Sequence, residues 1–224
     1  MAQEQQQQQK IRVKKNRKSK TQDLYDRIAD VQNLAMKING YRESVAKYLH
    51  SLDLHIKPDS LVLDAGSGTG LVTLALHSAG YHPKKTFALD ISYNSLTVAS
   101  EQFREDKKVT DEDVEAVQGN LLALPFADES FDVVLTCGAL EYVPLDAGLQ
   151  ELARVLKKDG TLVLIPVRPS LVSSFLEVLY NFKTHSLEEV RKTSRRYFQI
   201  IGNYKFPITE PIGWSKTLFL LQKK

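Results

Sequence analysis

Leu61-Val62-Leu63-Asp64-Ala65-Gly66-Ser67-Gly68-Thr69-Gly70 is an apolar run that breaks into one acid and three glycines at alternate positions. Its reading decides the fold. Glycine has no Cβ, so the backbone after such a run can take positive φ and let a ligand come close to its N–H groups. The segment that follows, Leu71-Val72-Thr73-Leu74-Ala75-Leu76, has helical character, and the positive end of that helix faces the turn. The stretch therefore predicts a strand, a nucleotide-binding turn and a helix. A tight turn with a purely structural role is the alternative.

Spacing narrows the ligand. A dinucleotide fingerprint, G-x-G-x-x-G, would need glycine at position 71 after Gly66 and Gly68, but that residue is Leu71 and the third glycine comes one position early. Downstream, Thr86-Phe87-Ala88-Leu89-Asp90-Ile91-Ser92 is a second short apolar run that ends in an acid. A carboxylate at the end of the second strand of an open α/β sheet can accept both hydroxyls of a ribose. The alternative for Asp90 is an N-cap of a helix beginning near Ser95.

The pattern D-x-G-x-G-x-G resembles motif I of the class I S-adenosylmethionine-dependent methyltransferases, and the segments after it keep that family's order. The resemblance implies S-adenosylmethionine as cofactor and S-adenosylhomocysteine as product. It places Asp64 near the methionine amino group, Ala65, Gly66, Ser67 and Gly68 along the methionine and ribose, Asp90 on the ribose and Ile91 on the adenine. Val114 to Phe126 resembles a strand and loop that often reads G-D-A-x-x-L-P-F, with Asn120 where the family has an acid facing the adenine amine. An Asn carbonyl still accepts from an amine but adds no charge, so that contact, with Leu121 beside it, is expected in weaker form. Ala127 to Pro144 resembles the fourth strand and the loop where methyl transfer takes place, with Cys137 lining the cofactor cleft and Glu141 and Tyr142 as acceptor-side candidates; the alternative is a solvated Glu141 and a packed Tyr142. A helix over 146–156, a turn over 157–160 and a strand over 161–166 resemble R-V-L-K-x-G-G-x-L, with Asp159 in place of the first glycine. The resemblance covers about residues 55–168.

With 224 residues and 42% apolar composition the chain can bury one sizeable core. The expected organisation is a disordered basic tail over 1–20 and a methyltransferase domain over 21–224, the latter with a helical cap over 21–54 and a lid or substrate insertion over 170–195. The net charge of +3 is uneven: residues 1–20 hold seven Lys or Arg and one Glu, which leaves −3 for the remainder. Low complexity and few apolar residues argue that this tail is a solvated extension. Contact with nucleic acid or an anionic membrane, or nuclear import, are its functional alternatives. Nucleic acid is the less favoured partner, because the tail has no aromatic residues among its charges. No apolar run is long enough for a transmembrane segment and no secretory stretch opens the chain, so the expectation is a cytoplasmic protein. One cysteine, Cys137, cannot form an internal disulfide.

Apolar residues from Leu24 to Leu49 recur near helical spacing, and the Tyr25-Asp26 start resembles small-molecule members of the family, whose N-terminal helices close over the methionine. Tyr25, Tyr41 or Arg42 could then reach the cofactor carboxylate. In the C-terminal third, a helix is expected over 170–182, and Ser186-Leu187-Glu188-Glu189 has capping-box spacing for another. Two strands over 197–202 and 217–221 complete the expected fold. That fold is α/β: a doubly wound, seven-stranded, mostly parallel sheet with one antiparallel strand and helices on both faces.

A sulfonium methyl is already electrophilic, so holding a nucleophile in line with the C–S bond and excluding water does most of the chemistry, without a metal. The five histidines show no pairing with Cys or carboxylates at metal-ligand spacing. His185, in the expected lid, could deprotonate a phenol or amine, and with Glu141 and Tyr142 it makes up the catalytic candidates. The leading expectation is methyl transfer to a small molecule. Its alternatives are an RNA or protein methyltransferase docking through the tail, and a non-catalytic cofactor-binding protein.

Overall fold

The computed structural model describes residues 40–110, 112–169, 183–207 and 209–224. The basic tail, the first part of the helical cap and the helix expected over 170–182 lie outside them. The chain order is α1 (Tyr41–Ser51), β1 (Leu61–Ala65), α2 (Leu71–Ser78), β2 (Lys85–Asp90), α3 (Tyr93–Glu105), β3 (Val114–Gln118), β4 (Phe131–Cys137), α4 (Leu145–Val155), β5 (Leu156–Ile165), α5 (Leu187–Ser194), β6 (Phe198–Lys205) and β7 (Thr217–Lys223). Short 3-10 turns occupy Leu140–Tyr142 and Pro211–Trp214.

The strands form one sheet in the order β3-β2-β1-β4-β5-β7-β6. Its first five strands run parallel, and β7 is antiparallel to both β5 and β6. This is the seven-stranded sheet expected from sequence. The order reverses beside β1, so β1 and β4 diverge into their loops at the switch point, where a crevice opens at the carboxyl ends of the strands.

Central strands are covered on both faces, which explains their continuous apolar runs. Successive residues alternate between two cores: Val62, Val133, Val163 and Leu220 pack with α1 and α2, while Leu63, Val134, Leu162 and Phe219 pack with α4 and α5. Helix α3 covers the β2 end of the α2 face, where Phe103 and Ala99 meet Ala88 and Leu74. Of the segment 170–195 expected as lid or insertion, α5 belongs to the packed layer, since Val190 is buried in the α4 core. Its first turn has the expected cap, with Ser186 Oγ accepting from Glu189 N at 3.1 Å.

Two boundaries differ from the sequence reading. Helix α3 begins at Tyr93, capped by Ser92, so Asp90 is not a helix cap. The turn expected over 157–160 is instead part of β5: Phe131 pairs with Leu156 and Val133 with Thr161, and the register shift between them absorbs the extra residues. Asp159 takes φ 60 there, the left-handed conformation that the family pattern meets with glycine and that Asp tolerates better than most residues.

Candidate active site

The glycine turn is fixed to the second strand before any ligand arrives. Gly66 N and Ser67 N both donate to Leu89 O, at 2.8 and 2.9 Å, and the turn closes with Gly70 N donating to Ser67 O at 2.9 Å. All three glycines have positive φ, but their surroundings differ. A Cβ at Gly66 would lie 2.3 Å from Ala139 Cβ in the loop after β4, and one at Gly70 would lie 2.4 Å from the Phe103 ring. At Gly68 a Cβ would meet nothing within 4 Å. Gly66 and Gly70 therefore serve packing, and the open side of the turn is at Gly68.

Asp64 ends the apolar run of β1 fully buried. One of its oxygens accepts from Thr73 N at 3.0 Å and Thr73 Oγ1 at 2.7 Å, whereas Oδ1 is buried with no partner among the described residues. Burial pushes its carboxyl up to about 7, outweighing the Thr73 hydrogen bonds that favour the ionised form. Ala65, next in line, is buried, and its carbonyl accepts from Thr136 Oγ1 at 2.8 Å. Ser67 is buried too, with its hydroxyl unpaired among the described residues.

Asp90, at the end of β2, is 22 residues from Gly68 in sequence, yet its Oδ2 accepts from Gly68 N at 2.8 Å while Oδ1 accepts from Ser92 N at 2.8 Å. Burial raises its carboxyl as well, opposed by these backbone donors. Beyond it Ile91 is 69% exposed. An apolar side chain so exposed next to the open side of a glycine turn offers a flat surface for a base to pack on.

The third loop is held by a fork that the sequence reading did not single out. Arg154 donates to the carbonyls of Phe126 and Leu124 and to Asp128 and Glu151, and Glu151 accepts from Leu124 N at 2.7 Å. This arrangement fixes the loop that carries Asn120. Asn120 Oδ1 is engaged by Leu122 N at 2.9 Å, and the Leu121 side chain is buried in the α4 core. At Leu121, then, the backbone rather than the side chain remains for a ligand.

At the exit of β4 the structure brings together Cys137, Glu141 and, from the first residue of α1, Tyr41. The Tyr41 hydroxyl lies 3.7 Å from Cys137 Sγ. Burial pushes both the phenol and the thiol up, which keeps them neutral. Glu141 is buried; its Oε1 accepts from Val167 N at 2.5 Å, and Oε2 has no partner among the described residues. Tyr142 is half exposed beside it. Lys183 N donates to Glu141 O at 3.1 Å, so the chain returns to this turn just before His185. His185 Nδ1 itself lies 3.4 Å from Glu189 Oε1 on α5. Arg42 does not face the crevice: it ties α1 to Ser78 at 2.6 Å and to Asp106 at 2.6 Å. Thr73 had no sequence signal of its own, and Arg154 entered only as the first residue of the R-V-L-K pattern, because its contacts with Leu124, Phe126 and Asp128 join segments 26–30 residues apart.

No group of three or more His, Cys, Asp or Glu side chains among the described residues could hold a metal ion. No described helix is long and apolar enough to cross a membrane.

Residues 63–164 match the family described as Methyltransferase domain. A demethylmenaquinone methyltransferase of Alkalihalophilus pseudofirmus is 34% identical over 128 residues, covering 57% of this chain and 53% of that protein. The chain thus spans about half the length of that relative. The corresponding enzyme of Bacillus mycoides is 26% identical over 172 residues, covering 75% and 71% of the two chains. Among solved structures, the geranyl diphosphate C-methyltransferase of Streptomyces coelicolor superposes with a TM-score of 0.68 at 17% identity, covering 80% of this chain and 75% of that one. A methyltransferase of Thermotoga maritima gives 0.68 at 19% identity, covering 91% and 100%.

Proposed function

We propose that this chain, which carries a class I S-adenosylmethionine-dependent methyltransferase domain, transfers the methyl group of S-adenosylmethionine to a small molecule bearing an aromatic hydroxyl or a similar nucleophile. The observation that carries the reading is the pair of carboxylates, buried Asp64 and partly buried Asp90, on adjacent strands flanking the open side of Gly68.

The residues present fit the cofactor. Asp64 Oδ1, buried and unpaired among the described residues, suits the methionine ammonium, whose charge would favour the ionised carboxyl. Each Asp90 oxygen accepts one backbone N–H and keeps a lone pair, so the carboxylate can take both ribose hydroxyls without releasing Gly68 or Ser92. Ile91 supplies an apolar face for the adenine. Bound there, the cofactor supplies an activated methyl whose C–S bond breaks as the acceptor attacks. The chain's task is then to orient the acceptor and exclude water.

Glu141 is the acceptor-side base in this reading, because Oε2 is buried and unpaired while Oε1 anchors Val167. Tyr142 follows it in the chain, His185 comes two residues after the Lys183 N–H that binds Glu141 O, and both are assigned to acceptor contact. The demethylmenaquinone methyltransferases among the relatives support a small-molecule acceptor of hydroxy-aromatic or quinol type.

Two experiments test the reading. Calorimetric titration with S-adenosylmethionine should show binding, and its absence would remove the basis of the proposal. Radiolabelled methyl transfer into a host-cell metabolite extract should persist after nuclease treatment and after deletion of residues 1–20. Loss on either treatment would favour an RNA acceptor docked through the basic segment.

A further inference from the structure

Lys216 belongs to no sequence motif, yet the fold delivers its ammonium to the exit of β4. The residue immediately precedes β7, and its backbone pairs with Val167 in an isolated antiparallel bridge. Val167 is the residue whose N–H is held by Glu141. On the other side, Gly138 follows β4 with φ 67, and a Cβ built there would lie 2.6 Å from Lys216 Nζ. The missing side chain at Gly138 is thus the space the ammonium occupies. Among the described residues no carboxylate pairs with Nζ and no acceptor binds it.

The surrounding charges define what this cation can do. Cys137 lies close enough that Lys216 draws its thiol down against the effect of burial. Tyr41 from α1, Glu141 from the turn after β4 and Asp64 from β1 face the same thiol. Arg168 donates to Gly213 O at 2.8 Å. The exit of β4 therefore carries one partly exposed ammonium with no ion-pair partner among the described residues and, across Val167, one unpaired buried carboxylate oxygen at Glu141. A neutral apolar acceptor would cover both groups and leave both unsatisfied, which is unfavourable. An acceptor with an ionisable hydroxyl satisfies both, its proton bound for the carboxylate and its oxygen for the ammonium.

We propose that Lys216 is the specificity-determining cation of the acceptor subsite and that it binds a phenol- or naphthol-class hydroxyl as the oxyanion. This rests on the methyltransferase reading above. The hydroxyl proton passes to Glu141 and on to solvent, and the oxyanion charge is held by Lys216. The electron pair that attacks the methyl carbon comes from that oxygen, or from a conjugated ring carbon that then sheds its own proton to water. The C–S pair returns to sulfur, leaving neutral S-adenosylhomocysteine.

The probe is 1-naphthol, whose anion absorbs at longer wavelength than the neutral form, titrated against pH on the full chain with S-adenosylhomocysteine present. In the wild type the bound naphthol should ionise at least one pH unit below the free compound. Lys216→Met should abolish that shift, a change of about tenfold or more in the ionisation constant, and Lys216→Arg should retain most of it. Affinity for S-adenosylhomocysteine should be the same in all three proteins. An unchanged ionisation in Lys216→Met, or no naphthol binding by a protein that binds S-adenosylhomocysteine, overturns the assignment of Lys216. No binding of S-adenosylhomocysteine by the wild type overturns the methyltransferase reading on which it rests.

Discussion

Thr73 donates both its backbone N–H, at 3.0 Å, and its hydroxyl, at 2.7 Å, to the same oxygen of Asp64. The first turn of α2 thereby aims the other oxygen at the crevice. It also ties the charge state of the site to a single hydroxyl.

With its carboxyl raised to about 7, Asp64 is largely neutral in acid and ionised above neutrality. Only the ionised form pairs with an ammonium, so S-adenosylmethionine affinity should rise with pH, by about tenfold between roughly pH 5.5 and 7. Calorimetry across that range checks it. Asp64→Asn should bind weakly at every pH, and a pH-independent wild type would contradict the assignment.

Removing Thr73 Oγ1 withdraws a donor to the ionised form. Thr73→Val keeps the shape and the backbone N–H, so the fold should survive while the Asp64 carboxyl moves further up. The steep part of the affinity profile should then shift to higher pH, by about one unit for each ~1.4 kcal/mol lost.

Asp90→Ala should weaken S-adenosylmethionine binding by about 10- to 100-fold, the loss expected from hydrogen bonds to a charged acceptor. Because Gly68 N loses its partner as well, Asp90→Asn provides the control: its carbonyl can still serve that N–H, so thermal stability should recover more than affinity does.

Two glycines separate packing from ligand approach. Gly66→Ala meets both positive φ and the Ala139 methyl, whereas Gly68→Ala meets positive φ alone. The first should lose about 2–4 kcal/mol of stability, the second about 1–2 kcal/mol. Urea unfolding measures both, and Gly68→Ala should weaken cofactor binding out of proportion to its effect on stability.

Glu141→Gln retains an oxygen for Val167 N, so it should fold while losing acceptor turnover. Glu141→Ala leaves that buried N–H unpaired and should cost a further 1–3 kcal/mol in stability. Equal turnover in Glu141→Gln and wild type would limit Glu141 to anchoring the strand end.

Much of the glycine-turn end of the sheet was legible in the chain because it is local. The glycine turn, the acid at the end of β2 and the fourth strand each lie in a window of a few residues, and the parallel strands declare themselves as apolar runs buried on both faces. The boundary at β5 was misread because Lys157-Lys158-Asp159-Gly160 has turn chemistry, while Asp132 draws Lys157 into an ion pair at 2.7 Å and β4 supplies a ladder for Leu156. The partners of Arg42 were not legible, because nothing local states that Asp106 and Ser78 lie within its reach.

The sequence by itself determined the sheet, the glycine turn and the two acids beside it, since strand length, glycine spacing and the placing of a carboxylate after an apolar run are short-range properties. Only the tertiary structure decided which groups meet at the exit of β4. Tyr41, Val167 and Lys216 join the Cys137–Glu141 segment from three other parts of the chain, and what the four have in common is the crevice where β4 and β5 end and β7 begins. Their proximity is created by strand order, and no periodicity along one chain encodes a neighbour that arrives across a sheet.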